Sequence, residues 1–198
     1  MTLTADDPRE TPRARAKADR RSALLDAAAR LFAERGFDRV SIEELGAAVG
    51  VSGPAVYRHF SGKQAVLSAI LVEVSEGLSS GGAMVIEGHP DAAAALRALI
   101  AFHVDFALSN ADVIRVQDRD LESLADLDQH DVRALQRTYV ELWVDVLARL
   151  YPRVERANLR VRAHATFGLI NSTPHSGHTR ETGAILERMA LAAITAAA

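Results

Sequence analysis

The sequence predicts an all-α protein of about nine helices. Three observations carry that expectation. Alanine is the commonest residue and aromatics make up only 5% of the chain, a balance that favours helices over strands. Apolar residues recur at the i, i+3, i+4, i+7 spacing of a helix face. No run alternates as a strand would, and no motif returns at a fixed period.

The elements follow in order. Residues 1–17 carry Pro8 and Pro12 and lack apolar periodicity, so a disordered basic arm is expected there. A helix is expected over about 19–35, with Leu24, Leu25, Ala28, Leu31 and Phe32 on its inner stripe and Gly36 ending it. Ser41-Ile42-Glu43-Glu44 is a capping box: the hydroxyl accepts from the third amide while Glu44 reaches back to the first. It opens a two-turn helix that stops at Gly50. Ser52 starts the next helix, expected over 53–60 with Pro54 in the first turn, where a missing N–H costs little. Ser61-Gly62-Lys63-Gln64 reads as a second capping box, opening a helix to about residue 77. Gly81-Gly82 and Gly88-His89-Pro90 read as punctuation. Five more helices are expected over 91–108, 111–121, 128–150, 155–170 and 181–196.

Composition narrows the function. The chain has 198 residues, 48% apolar and 25% charged, ordinary for a globular protein with a real core. Cysteine is absent, which excludes disulfides, thiolate zinc sites and cysteine nucleophiles and fits a reducing cytoplasm. No apolar run approaching the roughly 18–20 residues of a membrane span is expected. The opening MTLTADDPRE is acidic and polar, unlike a signal peptide. Neither a membrane partner nor export is expected. Net charge is −3, so a nucleic-acid surface has to be local. Residues 9–21 hold six basic and two acidic side chains, whereas residues 81–198 hold 12 basic and 15 acidic ones. The basic end is the N-terminal one.

Two short helices joined at Gly50-Val51 make a helix-turn-helix. The glycine permits the tight turn, and the second helix projects toward a major groove. Gly53 and Ala55 keep its start slim, Val56 and Phe60 point back toward Leu31, Phe32 and Leu45, and Tyr57, His59 and Lys63 offer donors for phosphate oxygens. A generic three-helix packing unit is the competing reading of the same geometry.

The segment 27–67 resembles the DNA-binding domain of TetR-family transcriptional repressors. The likeness rests on Ala27-Ala28, Leu31-Phe32, Gly36-Phe37, Ser41-Ile42, Val49-Gly50-Val51-Ser52, Val56-Tyr57-Arg58-His59-Phe60 and Lys63. It implies phosphate contacts by Tyr57, His59 and Lys63, a backbone-facing helix capped by Ser41, and bases faced by Gly53, Pro54 and Ala55. Ser52, Arg58 and Arg20 complete the candidate DNA-binding set. Pro54 and Gly46 depart from the pattern, where many members carry glycine and alanine.

The resemblance further implies a DNA-binding domain over 18–65 and a helical ligand-binding and dimerisation domain over 66–198. The implied function is a ligand-responsive repressor that binds palindromic double-stranded operator DNA as a homodimer and is released by a small-molecule inducer. The segment 133–171 resembles actinobacterial members that sense acyl-CoA thioesters or lipid catabolites. An all-α enzyme with an incidental helix-turn-helix is the alternative, as is a DNA-binding protein without an inducer. No Ser/His/Asp set, P-loop, EF-hand or HExxH supports the enzyme, and no cofactor is expected.

Candidate inducer-site residues are apolar walls at Phe102, Phe106, Leu121, Trp143 and Phe167, with polar points at His103, Tyr139 and Asn171. Arg115 and Arg119 are expected either as surface ion pairs or as partners for an anionic head group. A solid core of packed aromatics is the competing arrangement. Ile185, Met189, Ala192 and Ala193 form a small-residue stripe, expected as a dimer face unless it covers the chain's own core. His175 and His178 have HxxH spacing in a loop, and Asp126, Asp128, His130 and Asp131 precede a long helix. Loop and capping roles account for both groups, and no metal is expected.

Overall fold

The computed structural model describes residues 12–172 and 181–196. His175 and His178 lie outside the described residues. Nine α-helices run through those that are described: α1 (Pro12–Arg35), α2 (Ile42–Ala48), α3 (Gly53–Val56), α4 (Lys63–Glu87), α5 (Ala92–Ser109), α6 (Ala111–Asp120), α7 (Asp126–Leu150), α8 (Arg156–Ile170) and α9 (Thr182–Ile194). Short 3₁₀ turns at Phe37–Arg39 and Leu121–Ser123 complete the set, and no described residue is in a strand.

The first helix begins seven residues earlier than the sequence suggested. Residues 12–17, expected in a disordered arm, are helical. Proline is tolerated in a first turn, and the Arg, Ala and Lys that follow are among the best helix formers. Residues 1–11 lie outside the described part. Gly36 ends α1 at φ 91°, and its N–H donates to the Phe32 carbonyl at 2.8 Å.

The Ser41 capping box forms in full. Ser41 Oγ accepts from the Glu44 N–H at 3.2 Å, and Glu44 Oε2 accepts from the Ser41 N–H at 2.8 Å. That backbone bond, foremost, lowers the Glu44 carboxyl below the usual range, and Arg35 adds to it. The expected second box does not form: α4 starts at Lys63, with Gly62 at its N-cap and no side-chain cap. Nor does α3 persist as an α-helix to Phe60. It is one α-turn, continued by i→i−3 bonds from Arg58 to Ala55 and from His59 to Val56.

Gly81 and Gly82 do not punctuate the chain. They lie buried inside α4, which runs unbroken to Glu87. A Cβ at Gly81 would stand 2.5 Å from Phe102 Cζ, and one at Gly82 would stand 2.7 Å from Tyr139 Cε2. The glycines are there because the edges of aromatic rings press close against the α4 backbone. Each costs about 1 kcal/mol of helix propensity, which the ring contacts offset.

Helix α4 therefore belongs to two cores. Its first turns put Val66, Leu67, Ile70 and Leu71 into a cluster with Leu24, Phe32, Leu45 and Val56. Farther on it flanks a second cluster built from α5, α7, α8 and α9 around Trp143 and Leu147. Val113 and Val116 of α6 and Val132 of α7 also enter the first cluster, so the N-terminal core reaches past the expected 18–65 boundary. Both α4 and α5 are long and apolar enough to cross a membrane, with mean hydropathy 1.3 and 1.5 over their most apolar stretches. Glu73 and Glu76 interrupt the first and Arg97 and Asp105 the second, which hides the runs from a residue-by-residue reading. Here both pack within the bundle, against α7.

Candidate functional site

The turn of the helix-turn-helix is closed tightly. The Val51 N–H donates to the Gly46 carbonyl at 2.9 Å, and Gly50 adopts φ 70°. A methyl at Gly46 would stand 2.7 Å from the Val51 carbonyl, which accounts for the departure from alanine at that position. Val56 and Phe60 face inward, as their spacing demanded. Ser52, Pro54, Tyr57 and Arg58 are exposed, and Ala55 is half-buried. Gly53 is buried, with the Glu43 side chain 3.4 Å from where a Cβ would be, so it does not face outward with Pro54.

Two basic groups are tied into the fold, Lys63 contrary to its expected free role. The Lys63 ammonium is held by the carbonyls of Phe37 at 2.8 Å and Asp38 at 3.3 Å, over the Phe37 ring at 4.4 Å. It therefore pins the 3₁₀ turn beside the Tyr57 ring and has one N–H left for a phosphate. Arg21 pairs with Glu73 of α4 and lies over the Phe60 ring at 5.2 Å. Arg13, Arg15, Lys17 and Arg20 are exposed along the start of α1. The His59 imidazole senses them: burial first, then Lys17, Arg20, Arg21 and Arg58, hold its pKa below the ordinary value. The N-terminal turns of α1 and the α3 turn thus share one cationic face on a chain of net charge −3.

The second site is a cavity of about 190 Å³ among α4, α5, α6, α7 and α8. His103, Phe106, Tyr139, Phe167 and Asn171 line it, as do Ser75, Gln117, Gln136 and His164, which the sequence reading passed over. Phe102, Leu121 and Trp143 do not. Phe102 covers Gly81 on an outer groove, Leu121 packs on the N-terminal core, and Trp143 is fully buried behind Phe167 at 4.9 Å between ring centroids. The indole N–H lies near the Tyr139 hydroxyl but makes no hydrogen bond of normal geometry.

Arg115 and Arg119 are away from the cavity as well. Arg115 pairs with Asp112 one turn before it. Arg119 reaches the last turn of α1, donating to the carbonyls of Phe32 and, at 3.3 Å, Ala33, while its other N–H groups grip the buried Asp120 at 2.9 Å. It is a clasp between α6 and the DNA-binding unit. Carbonyls in the last turn of a helix attract cations, and that competes successfully with a solvent-facing role.

A polar chain crosses the cavity wall. His103 Nε2 lies 3.1 Å from Asn171 Oδ1 and His103 Nδ1 lies 3.3 Å from the Tyr139 hydroxyl. Asn171 Oδ1 only accepts, so Nε2 carries the proton and Nδ1 accepts from Tyr139. Burial drives the His103 pKa down to about 4, against the Asn171 bond, and pushes the Tyr139 phenol up. A histidine depressed in the fold binds its proton more readily when unfolded. Its stabilising contribution is full above about pH 6.5 and is lost as pH falls toward 4. Urea denaturation should show about 2 kcal/mol lost between pH 7.5 and 5 that a His103→Gln variant does not lose. Equal losses in both proteins would refute a neutral, buried His103.

A cationic helix-turn-helix face, carried on a helical body that encloses a polar-lined cavity, defines a DNA-binding regulator. Two family models match the chain: bacterial regulatory proteins, tetR family, over residues 24–70, and a tetracyclin repressor-like C-terminal domain over residues 89–175. The protein belongs to the TetR family of transcriptional regulators. It is 26% identical over 132 residues to the HTH-type transcriptional repressor KstR2 of Rhodococcus jostii (strain RHA1), covering 66% of this chain and 65% of that protein, just under two thirds of the relative's length. A TetR-family regulator from Bordetella parapertussis 12822 superposes with a TM-score of 0.82 at 21% identity, over 90% of this chain and 95% of that one. FadR from Bacillus subtilis, solved in complex with stearoyl-CoA, superposes with a TM-score of 0.74 at 14% identity, over 89% and 99%. These structures share the fold.

Proposed function

We propose that the protein is a ligand-responsive transcriptional repressor, acting in the cytoplasm as a homodimer on palindromic operator DNA and released by a small-molecule inducer. The observation that carries this reading is the polar-lined cavity lying between the α6 clasp on the DNA-binding unit and the α8–α9 end. On α8 and α9 an apolar face is exposed, with Val161, Ile185, Met189, Ala192 and Ala193 pointing away from the core. Such a face suits a twofold partner, and a helix-turn-helix needs two copies to span two half-sites. The repressor KstR2 and the stearoyl-CoA complex of FadR favour an acyl-CoA or lipid catabolite as inducer. Inducer would favour the conformation that fits the operator less well, through its differential affinity for the two states. The reading calls for no metal or prosthetic group.

The DNA-binding part is tested by salt titration. Arg20→Ala and Arg58→Ala should each weaken operator and random DNA alike and lower the slope of log affinity against log salt by about one unit. Lys63→Ala should, in addition, destabilise the fold, because its ammonium holds two carbonyls. Unchanged slopes for both arginine variants would remove the α1–α3 face from DNA.

A further inference from the structure

The cavity has two neighbours of opposite charge. Between α7 and α8 it adjoins an open cleft of about 510 Å³, sharing Gln136, Val140 and His164 with it. Arg133 and Arg137 line that cleft from one helix, Arg160 and His164 from the other, against the carboxylate of Glu141. Between α4 and α5 it adjoins a groove of about 480 Å³ through Leu78 and Phe106. That groove carries Asp105 and Glu73, the latter paired with Arg21 of α1, and no cation among its lining residues.

Four of the cleft's polar groups decide what it accepts. Arg133 is paired with Glu122 at 2.6 Å, and Arg160 with Glu141 at 2.6 Å. Arg137 forms no ion pair or hydrogen bond among the described residues, so its guanidinium stands ready at the mouth. Gln136 sits at the junction of cavity and cleft, and its buried Nε2 has no hydrogen-bond partner among the described residues. A buried donor left unmade is costly, and a ligand acceptor at that point removes the cost. Size sets the remaining limit. A cavity of about 150 Å³ takes a benzene, so one of about 190 Å³ suits a ring or a short chain, not an extended long-chain tail.

We infer that the cavity takes a compact apolar group joined through a carbonyl to an anionic head, with Gln136 receiving the carbonyl and Arg137 the head in the α7–α8 cleft. This rests on the cavity being the inducer site, and it fixes the ligand's polarity: head toward α7–α8, never toward the acidic α4–α5 groove. The anion is a carboxylate or a phosphate.

Isothermal titration of the full chain with hexanamide, hexanoate, hexyl phosphate and hexanoyl-CoA separates these terms. At least one anionic probe should bind about tenfold or more tighter than hexanamide, the gain of one charge-assisted hydrogen bond. Whether hexanoate or hexyl phosphate gains more identifies the head. Arg137→Gln should abolish that gain and leave hexanamide unchanged, since the side chain is exposed and holds nothing in the fold. Gln136→Leu should weaken the three carbonyl-bearing probes and spare hexyl phosphate. Equal binding of neutral and anionic probes, indifferent to Arg137→Gln, would overturn the head-group assignment and leave the cavity as the inducer site. Binding by none of the four would take both away.

Discussion

Replacing both Ile185 and Met189 with aspartate should convert the protein to a folded monomer that no longer holds its operator. The two side chains are 40% and 52% exposed on α9. Their loss therefore leaves the chain's own core intact, and circular dichroism and melting temperature should stay near those of the parent. Twofold symmetry would place each new carboxylate in the contact twice. An unpaired charge buried in an interface costs about 3–5 kcal/mol. With dimerisation gone, the two half-sites bind independently, and operator affinity should drop by about 10²–10⁴. Sedimentation velocity and a gel-shift titration read both effects. A variant that stays dimeric would move the interface off α9. An intact dimer should hold its two α3 turns about 34–36 Å apart, or a multiple of that, on one DNA face.

Gly82→Ala should destabilise the protein, whereas Gly81→Ala should be nearly neutral. Both gain about 1 kcal/mol of helix propensity. At Gly81 the new methyl meets the far end of the Phe102 ring, which is half-buried on an open groove and free to swing outward. At Gly82 it meets Tyr139, a buried ring whose hydroxyl is committed to His103. Overpacking there costs about 1–3 kcal/mol, so the net loss should reach as much as about 2 kcal/mol, or several degrees of Tm by scanning calorimetry. The displaced ring also reshapes the cavity, so ligand affinity should fall with stability. Equal melting temperatures for the two variants would show that Tyr139 yields as freely as Phe102.

How much of this the chain announces depends on how local the cause is. The Ser41–Glu44 box, the Gly36 and Gly50 turns and the inward Val56 and Phe60 are written within a few residues, and the structure has them where the spacing puts them. Gly81-Gly82 was misread because its reason lies in Phe102 and Tyr139, far along the chain. Arg119 forms an ion pair as expected, with Asp120, but its other partners are carbonyls at the end of α1, and a carbonyl leaves no trace in side-chain pattern. The basic cleft did leave a signal. Arg133 with Arg137, and Arg160 with His164, are each i, i+4 pairs on one helix face, but only the packing of α7 on α8 brings them together. Phe106, Phe167, His103, Tyr139 and Asn171 line the cavity, whereas helical periodicity alone could not separate them from Trp143.

Because α4 belongs to both cores, it is a lever. Its 25 residues span about 37 Å at 1.5 Å per residue. The cavity wall meets it near Ser75 and Leu78, and its N-terminal end carries Lys63 beside the Tyr57 ring. A tilt of about 5° about its far end displaces that near end by roughly 3 Å, on the geometry of a rigid rod of this length. In the proposed homodimer a shift of that size, doubled across the twofold axis, would be comparable to the rise of one or two base pairs along DNA. On the proposed function, a ligand of a few heavy atoms need move only the Tyr139 ring, which lines the cavity and lies on the rod, to shift where Lys63 and the α3 turn stand.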